Sequence, residues 1–529
     1  MLLKIWYMIC FALFGLIDQR RGSAVGEVQM MFGNMTGVIV ALMLIPSLDF
    51  KRLKDKVYII WTPICLILTV ILCVRGSSFR FYSQQWISGV LNFTVWSYFG
   101  IYLLKERKSL GLLQRVRQPF FCSLALMLLL MQLSVHEGIL PLWYLVIFGG
   151  FYLLGVPEGN RESFWSGMLN GIILWFFIQQ IIAFGFRPYD FVRYRGLYAG
   201  ETQNGLFYMI VYCAFLVKWI WSKEKKAARV WTFLYFILSA SCIGFIIFTG
   251  GRAPLLGAGM VTLAIYVWYD LVYRKSFYKW VLHCAAFGVC IVLTFPVIYG
   301  CIRYLPVILH HPIWFEGEYD ESSSVRSFDP WDSERYISFE EAFESNIGRF
   351  LSAVGIDYKV LTDRLTNSFG TMKVYAEENT ESLELSEPGS DRENPFVLDD
   401  TDMNSSFSIR KTIYVYYWNH LNMTGHSKDE SGFYFSYNTY FGHAHNMFLQ
   451  VAYDYGIPAG ILFAGVYIYS LLQVFWKRKK ENVICAAFLL AIFSFGMAEM
   501  VLVPGQITVV LIGLMFYFAG EDNNRYTSR

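Results

Sequence analysis

Apolar stretches close to twenty residues long recur along almost the whole chain, separated by short polar loops, and one long polar stretch interrupts them after residue 300. A run of that length crosses the hydrocarbon core of a bilayer as a single helix. The pattern predicts about fourteen membrane helices, centred near residues 10, 38, 66, 95, 127, 147, 175, 213, 239, 263, 289, 467, 491 and 512. The first run, "MLLKIWYMICFALFGLI", has the length of a secretory leader but no small-residue cleavage site, so it reads as the first span. The expected fold is therefore an all-α integral membrane protein of about 12–14 transmembrane helices with one large loop. Residues 1–300 carry the first eleven helices, 301–444 form the loop with its interfacial helices, and 445–529 hold a short interfacial helix and the last three spans.

Charge placement orients this bundle. The even-numbered loops hold 21 Lys and Arg, among them Lys51, Arg115, Lys223, Arg274 and Lys477, against eight in the short odd-numbered loops. Basic residues stay in the cytoplasm, so both termini are placed there and the 301–444 segment outside. That segment holds 24 of the chain's 41 acidic residues and only 11 Lys and Arg, which excludes a polybasic nucleic-acid-binding face. Within it, 376–402 is acidic and poor in aromatics, the composition of a mobile segment, and 338–356 has helical periodicity. Composition agrees: 55% of residues are hydrophobic, 16% are charged, and mean hydropathy is +0.40. All ten cysteines lie in or beside apolar runs, which argues against a disulfide framework and a cysteine zinc site.

Four polar stretches fall on the external side. "RYRGLYAGETQNG" (193–205) offers Arg195 and Asn204 ahead of an apolar run. "FTGGRAPLLG" (248–257) joins two apolar runs through Gly250, Gly251 and Arg252 with almost no loop; the arginine is either a headgroup anchor or lines a polar cavity, and the glycines permit close backbone approach. "SFSIRKTIYVYYWNHLNMTG" (406–425) has one apolar helical face and reads as an interfacial helix, with Arg410 near its start. "TYFGHAHNMFLQVAYDYGIPAG" (439–460) predicts a short surface helix from about 445 to 455, broken at Gly456, with His443, His445 and Asn446 at its beginning. The positive helix end there would favour a neutral His445 imidazole, the form a base needs. Each stretch also has a plainer reading, as headgroup anchors, a solvated amphipathic helix, or capping and aromatic-belt residues. The two histidines suit a metal pair, but no third ligand stands near them in the sequence, and neither a metal nor another cofactor is expected.

Taken together, the four stretches resemble the superfamily of O-antigen ligases and Wzy-type polysaccharide polymerases. "HNMFLQVAYDYG" is the strongest local match, with Asp454 where the family usually has Glu, and Gln203 replaces the usual Pro before Asn204. The resemblance covers roughly residues 165–515 and implies a GT-C-like enzyme of the bacterial cytoplasmic membrane. Such an enzyme moves glycan from a polyprenyl-diphosphate lipid to an acceptor hydroxyl, without metal and with inversion, and works beside other membrane proteins of polysaccharide assembly. It implies His445, Arg252 and Arg195 as catalytic residues, the arginines on the diphosphate. Arg410, Asn446, Asn204, Gly251 and His443 would bind substrate. Polymerisation of lipid-linked repeat units is the leading expectation, and transfer of finished glycan to another acceptor the second. A multi-helix flippase or transporter is the alternative of another class; it calls for polar groups at mid-helix, whereas here they gather at one face.

Overall fold

The computed structural model describes residues 1–17, 35–49, 51, 54–77, 83–108, 110–136, 143–186, 193–198, 200–309, 339, 343, 406–430, 432–436, 439–476, 482–502 and 506–521. They form an almost wholly helical bundle. In chain order its helices are α1 (Leu2–Ile17), α2 (Thr36–Leu44), α3 (Lys56–Ser77), α4 (Ser83–Lys105), the short α5 (Leu112–Val116), α6 (Pro119–Leu133), and α7 (Gly150–Leu154) after a π-turn at Leu145–Gly149. Then come α8 (Arg161–Phe186), α9 (Glu201–Glu224), α10 (Arg229–Phe248), α11 (Arg252–Tyr266, continued by a π-turn to Tyr273) and α12 (Phe277–Ile308). After the long loop follow α13 (Ser406–Asn419), α14 (Met447–Tyr455), α15 (Ile457–Trp476), α16 (Asn482–Gly496) and α17 (Ile507–Glu521). Of the expected helix at 338–356 only residues 339 and 343 are described, and the acidic stretch 376–402 lies outside the described residues.

Each of the fourteen expected span centres falls within or at the edge of a helical element. Among the described residues, six helices are long and apolar enough to cross a membrane. Several others, such as Pro119–Leu133 and Asn482–Gly496, are apolar but shorter. Rows of large apolar side chains face outward, for example Ile60, Ile64, Ile67 and Ile71 on α3 and Val281, Leu282, Val289 and Leu293 on α12. Water does not tolerate such continuous patches, whereas lipid does. Two expected helices of the polar region are present: α13 at the proposed interface and α14 just before the apolar run of α15. A two-stranded hairpin, β1 (Phe433–Ser436) and β2 (Thr439–Phe441), stands between them, and its Phe433 ring stacks on Tyr416 of α13 at 3.9 Å.

The bundle is built around α9, where every residue from Asn204 to Ile220 except Lys218 is buried. In an apolar surrounding, helices gain little from hydrophobic exclusion and rely on close backbone approach instead. Gly205 on α9 lies against Pro254 of α11, Gly257 lies against Met209, and Tyr212 bonds Thr262, so α9 and α11 run side by side in the same direction. Gly257 also faces Ser494 and Ala491 of α16, while Cys213 contacts the Ala487 carbonyl lower down. Helix α16 is therefore antiparallel to both. The start of α11 at Arg252 and the residues just after α16 share one end of the bundle.

Gly167 and Gly171, spaced by four on α8, press directly against the backbone of α1. A methyl group at Gly171 would sit 2.5 Å from the Met8 carbonyl oxygen, whereas at Gly185 on the same helix it would meet nothing within 4 Å. Gly171→Ala is expected to destabilise the protein by roughly 1–3 kcal/mol, as overpacked cores do. Gly185→Ala should leave stability unchanged or raise it slightly through helix propensity. Thermal unfolding of the two purified variants in detergent checks this pair.

Candidate functional site

At the shared end, two loops lock onto each other. The Tyr194 N–H donates to the Phe248 carbonyl at 2.8 Å, and the Arg193 guanidinium donates to the Gly250 carbonyl at 3.1 Å. Gly196 and Gly250 both adopt left-handed backbone, at φ 57° and 60°, which glycine permits at no steric cost. Arg195 donates to Glu201 at 3.3 Å, and Arg252 is an exposed first residue of α11. Two expected substrate contacts, Asn204 and Gly251, make local contacts within these loops. Asn204 is fully buried and donates to the Tyr194 carbonyl at 3.3 Å, bracing the turn that carries Arg195. Gly251 gives its N–H to the Thr249 hydroxyl at 3.2 Å and packs on Pro254 at the start of α11.

The second cluster centres on a carboxylate. Glu499, three residues beyond α16, accepts from the Arg410 guanidinium at 3.1 Å on one oxygen and contacts His445 Nδ1 at 3.0 Å with the other. A carboxylate only accepts, so this contact holds a proton on Nδ1 and leaves Nε2 of a neutral ring as the acceptor. The His443 ring lies 4.1 Å from that of His445, and its Nδ1 accepts the His445 backbone N–H at 3.3 Å. Burial depresses the His443 pKa first, the neighbouring His445 adds to this, and Glu499 opposes it; the net effect favours neutral imidazole.

Local geometry corrects one expectation. His445 is not part of α14: Asn446 is the cap, its side-chain oxygen accepting from Phe448 N at 3.0 Å and Leu449 N at 3.1 Å. His445 stands just before the cap at φ 48°, left-handed backbone that costs a non-glycine residue on the order of 1–3 kcal/mol. The Tyr414 hydroxyl is shared between the His445 carbonyl at 3.2 Å and the Met497 carbonyl at 3.1 Å, and Asn446 Nδ2 donates to the same Met497 carbonyl at 3.2 Å. The surrounding chain thus holds His445 in its strained conformation. A second difference concerns the histidine pair: a carboxylate that could serve as a third ligand, Glu499, is distant in sequence and adjacent in space. It was missed because carboxylate and histidines are separated by three helices, α14, α15 and α16. The available signal was that Glu499 is the one acid between Glu481 and Glu521, at the end of an apolar run on the expected external side.

Asp454 faces elsewhere. It accepts from Gln450 at 2.8 Å near His136 and His426, and His426 lies flat on Tyr453 at 3.8 Å. The His426 N–H donates to the Asp454 carbonyl, and Gly425 and Gly456 let the 422–426 turn close over the end of α14. Beside the Glu499 cluster a groove of about 620 Å³ runs between α13, α14 and α15, lined by Tyr414, Trp418, Asn446, Phe448, Ile461 and Met497. Three of these residues also touch the polar cluster, so an apolar trough and an ionic site meet without a gap.

No family model, curated protein or solved structure matches this chain.

Burial raises the Asp454 carboxyl above its ordinary value of 3.8, while the Gln450 hydrogen bond, His136 and His426 pull it down. A carboxyl whose folded pKa is raised holds its proton more tightly folded than unfolded, so its ionisation weakens the fold as pH rises through that value. Asp454→Asn is expected to equal or exceed wild type in Tm at about pH 8, with the advantage shrinking as pH falls toward about 4. Thermal unfolding across that pH range decides it; a variant weaker than wild type at the alkaline end would make the ionised carboxylate a favourable partner of the two histidines.

Proposed function

We propose that this protein is a glycosyltransferase that polymerises polyprenyl-diphosphate-linked oligosaccharide repeat units at the outer face of the cytoplasmic membrane. The observation that carries this reading is the junction of the apolar groove with the Arg410–Glu499–His445 cluster, at the same end of the bundle as Arg195 and Arg252. A donor with an isoprenoid tail, a diphosphate and a sugar is itself apolar, anionic and hydroxylated in that order. The groove suits the tail and the arginines suit the diphosphate. An imidazole oriented by a carboxylate suits the hydroxyl.

In the proposed step the acceptor oxygen attacks the anomeric carbon as the bond from that carbon to the diphosphate oxygen breaks. His445 Nε2 takes the hydroxyl proton, and the leaving diphosphate keeps the bond's electron pair, its charge balanced by Arg195 and Arg252. Attack opposite the leaving group inverts the anomeric configuration. Arg410 has further N–H groups beyond the one held by Glu499 and adds a contact to the leaving group. Glu499 acts through His445 as a positioning residue.

His445→Ala in liposomes, with lipid-linked repeat units as substrate, is expected to slow transfer by about 10²–10⁴. Glu499→Gln should lower kcat by about 10² with little change in KM, because the carboxamide can present its NH₂ and disfavour the needed tautomer; Glu499→Asp should recover part of the rate. Chain-length analysis reads the reaction: a ladder of repeat units identifies a polymerase, and one transfer to an added acceptor identifies a ligase. Lipid translocation without any glycan transfer, unaffected by either substitution, would overturn the enzyme reading in favour of a flippase.

A further inference from the structure

Two imidazoles and one carboxylate converge where the proposed reaction needs a free imidazole. One ligand atom from each of His443, His445 and Glu499 lies within 4.8 Å of the other two. Zinc bonds of about 2.0–2.2 Å to nitrogen and oxygen place tetrahedral ligand atoms about 3.4 Å apart, so side-chain adjustments of roughly 1 Å would bring the three into register. His445 and Glu499 are already in contact at 3.0 Å, and both are partly open to solvent at 23% and 15% side-chain exposure. His445 stands in left-handed backbone, and its ring lies 4.1 Å from that of His443. Two nitrogen donors and one oxygen donor form a borderline set that favours zinc and its late first-row neighbours over magnesium or calcium.

We propose that His443, His445 and Glu499 form a binding site for a divalent transition metal, zinc above all, and that occupancy switches the glycosyl-transfer site off. The inhibitory part rests on the function proposed above; the binding part does not. A bound zinc ion would occupy a ring nitrogen of His445 and draw Glu499 away from Arg410, so the proton acceptor and its positioning partner are lost together. Three protein ligands leave a fourth position for water. Arg410 is the built-in competitor: its guanidinium holds the same carboxylate that the metal needs. Its charge keeps affinity moderate and makes the site responsive to metal concentration rather than permanently filled.

Competition sets the signs of the test. With the full-length chain in detergent, stripped of metal, titration with Zn²⁺ by calorimetry is expected to give one saturable site. His443→Gln and Glu499→Gln should each weaken binding at least about tenfold. Arg410→Gln should tighten it, an effect that general damage to the fold does not produce. Co²⁺ provides a second readout, through a visible absorption band of low coordination number that is lost in His443→Gln. Absence of a saturable site, or affinity indifferent to all three substitutions, overturns the site. In liposomes, zinc at saturating concentration should abolish transfer and a chelator should restore it. Zinc that binds with the expected pattern but leaves transfer intact, or is needed for it, overturns the inhibition alone, and a protein that binds zinc yet transfers no glycan with or without it defeats the enzyme reading instead.

Discussion

The Glu499 carboxylate holds Arg410 on one oxygen and His445 on the other, and through these contacts three separate parts of the chain become one site. Arg410 belongs to α13, His445 precedes α14, and Glu499 follows α16. Arg410 and His445 are held by this shared anion, and the hydrogen bonds that Tyr414 and Asn446 give to the Met497 carbonyl brace the same place. An ion pair at a partly exposed surface is worth little as stability. Its value here is orientation: a carboxylate fixes which imidazole nitrogen carries the proton, and a guanidinium on the same carboxylate keeps that anion in place.

The rest of the bundle can be read as the means of bringing those three segments to one level. Small residues set the spacing between helices: Gly205 and Gly257 bring α9, α11 and α16 together, and Gly496 receives the side chain of Met447. Close contact at these points fixes the axial register of the helices. A shift of one turn along α16 would move Glu499 by about 5 Å, more than enough to break both of its contacts. The site's precision is thus inherited from glycines placed one to several turns away from it.

Most of the helical architecture was legible in the sequence because apolar runs of membrane length are a strong, local signal; α13, α14 and the break at Gly456 were legible from a different local signal, helical spacing of apolar residues and a glycine that ends it. Tertiary pairing was not. Arg195 and Arg252 could be placed on a common side by counting spans, yet nothing local distinguished them from Asn204 and Gly251, which the fold uses to brace the two loops. His445 looked like the first residue of a helix because Asn446, a better cap, was read as its companion. Glu499 carried almost no local signal: its meaning lies in a contact spanning 54 residues, and periodicity cannot report such a pairing. The surroundings of Asp454 were equally hidden: the fold sets it near His136 and His426, both distant from it in sequence.

Strain links these observations. A histidine in left-handed backbone is costly, and an asparagine or glycine would relieve that cost at the same position. The chain keeps His445 there and surrounds it with a carboxylate on Nδ1, a hydroxyl on its carbonyl and a second imidazole across its ring. Strain of this kind gathers at functional positions, and it agrees with the roles proposed for His445. That is the expected signature of a group that must meet something outside the protein, whether an acceptor hydroxyl or a metal ion competing for the same nitrogen.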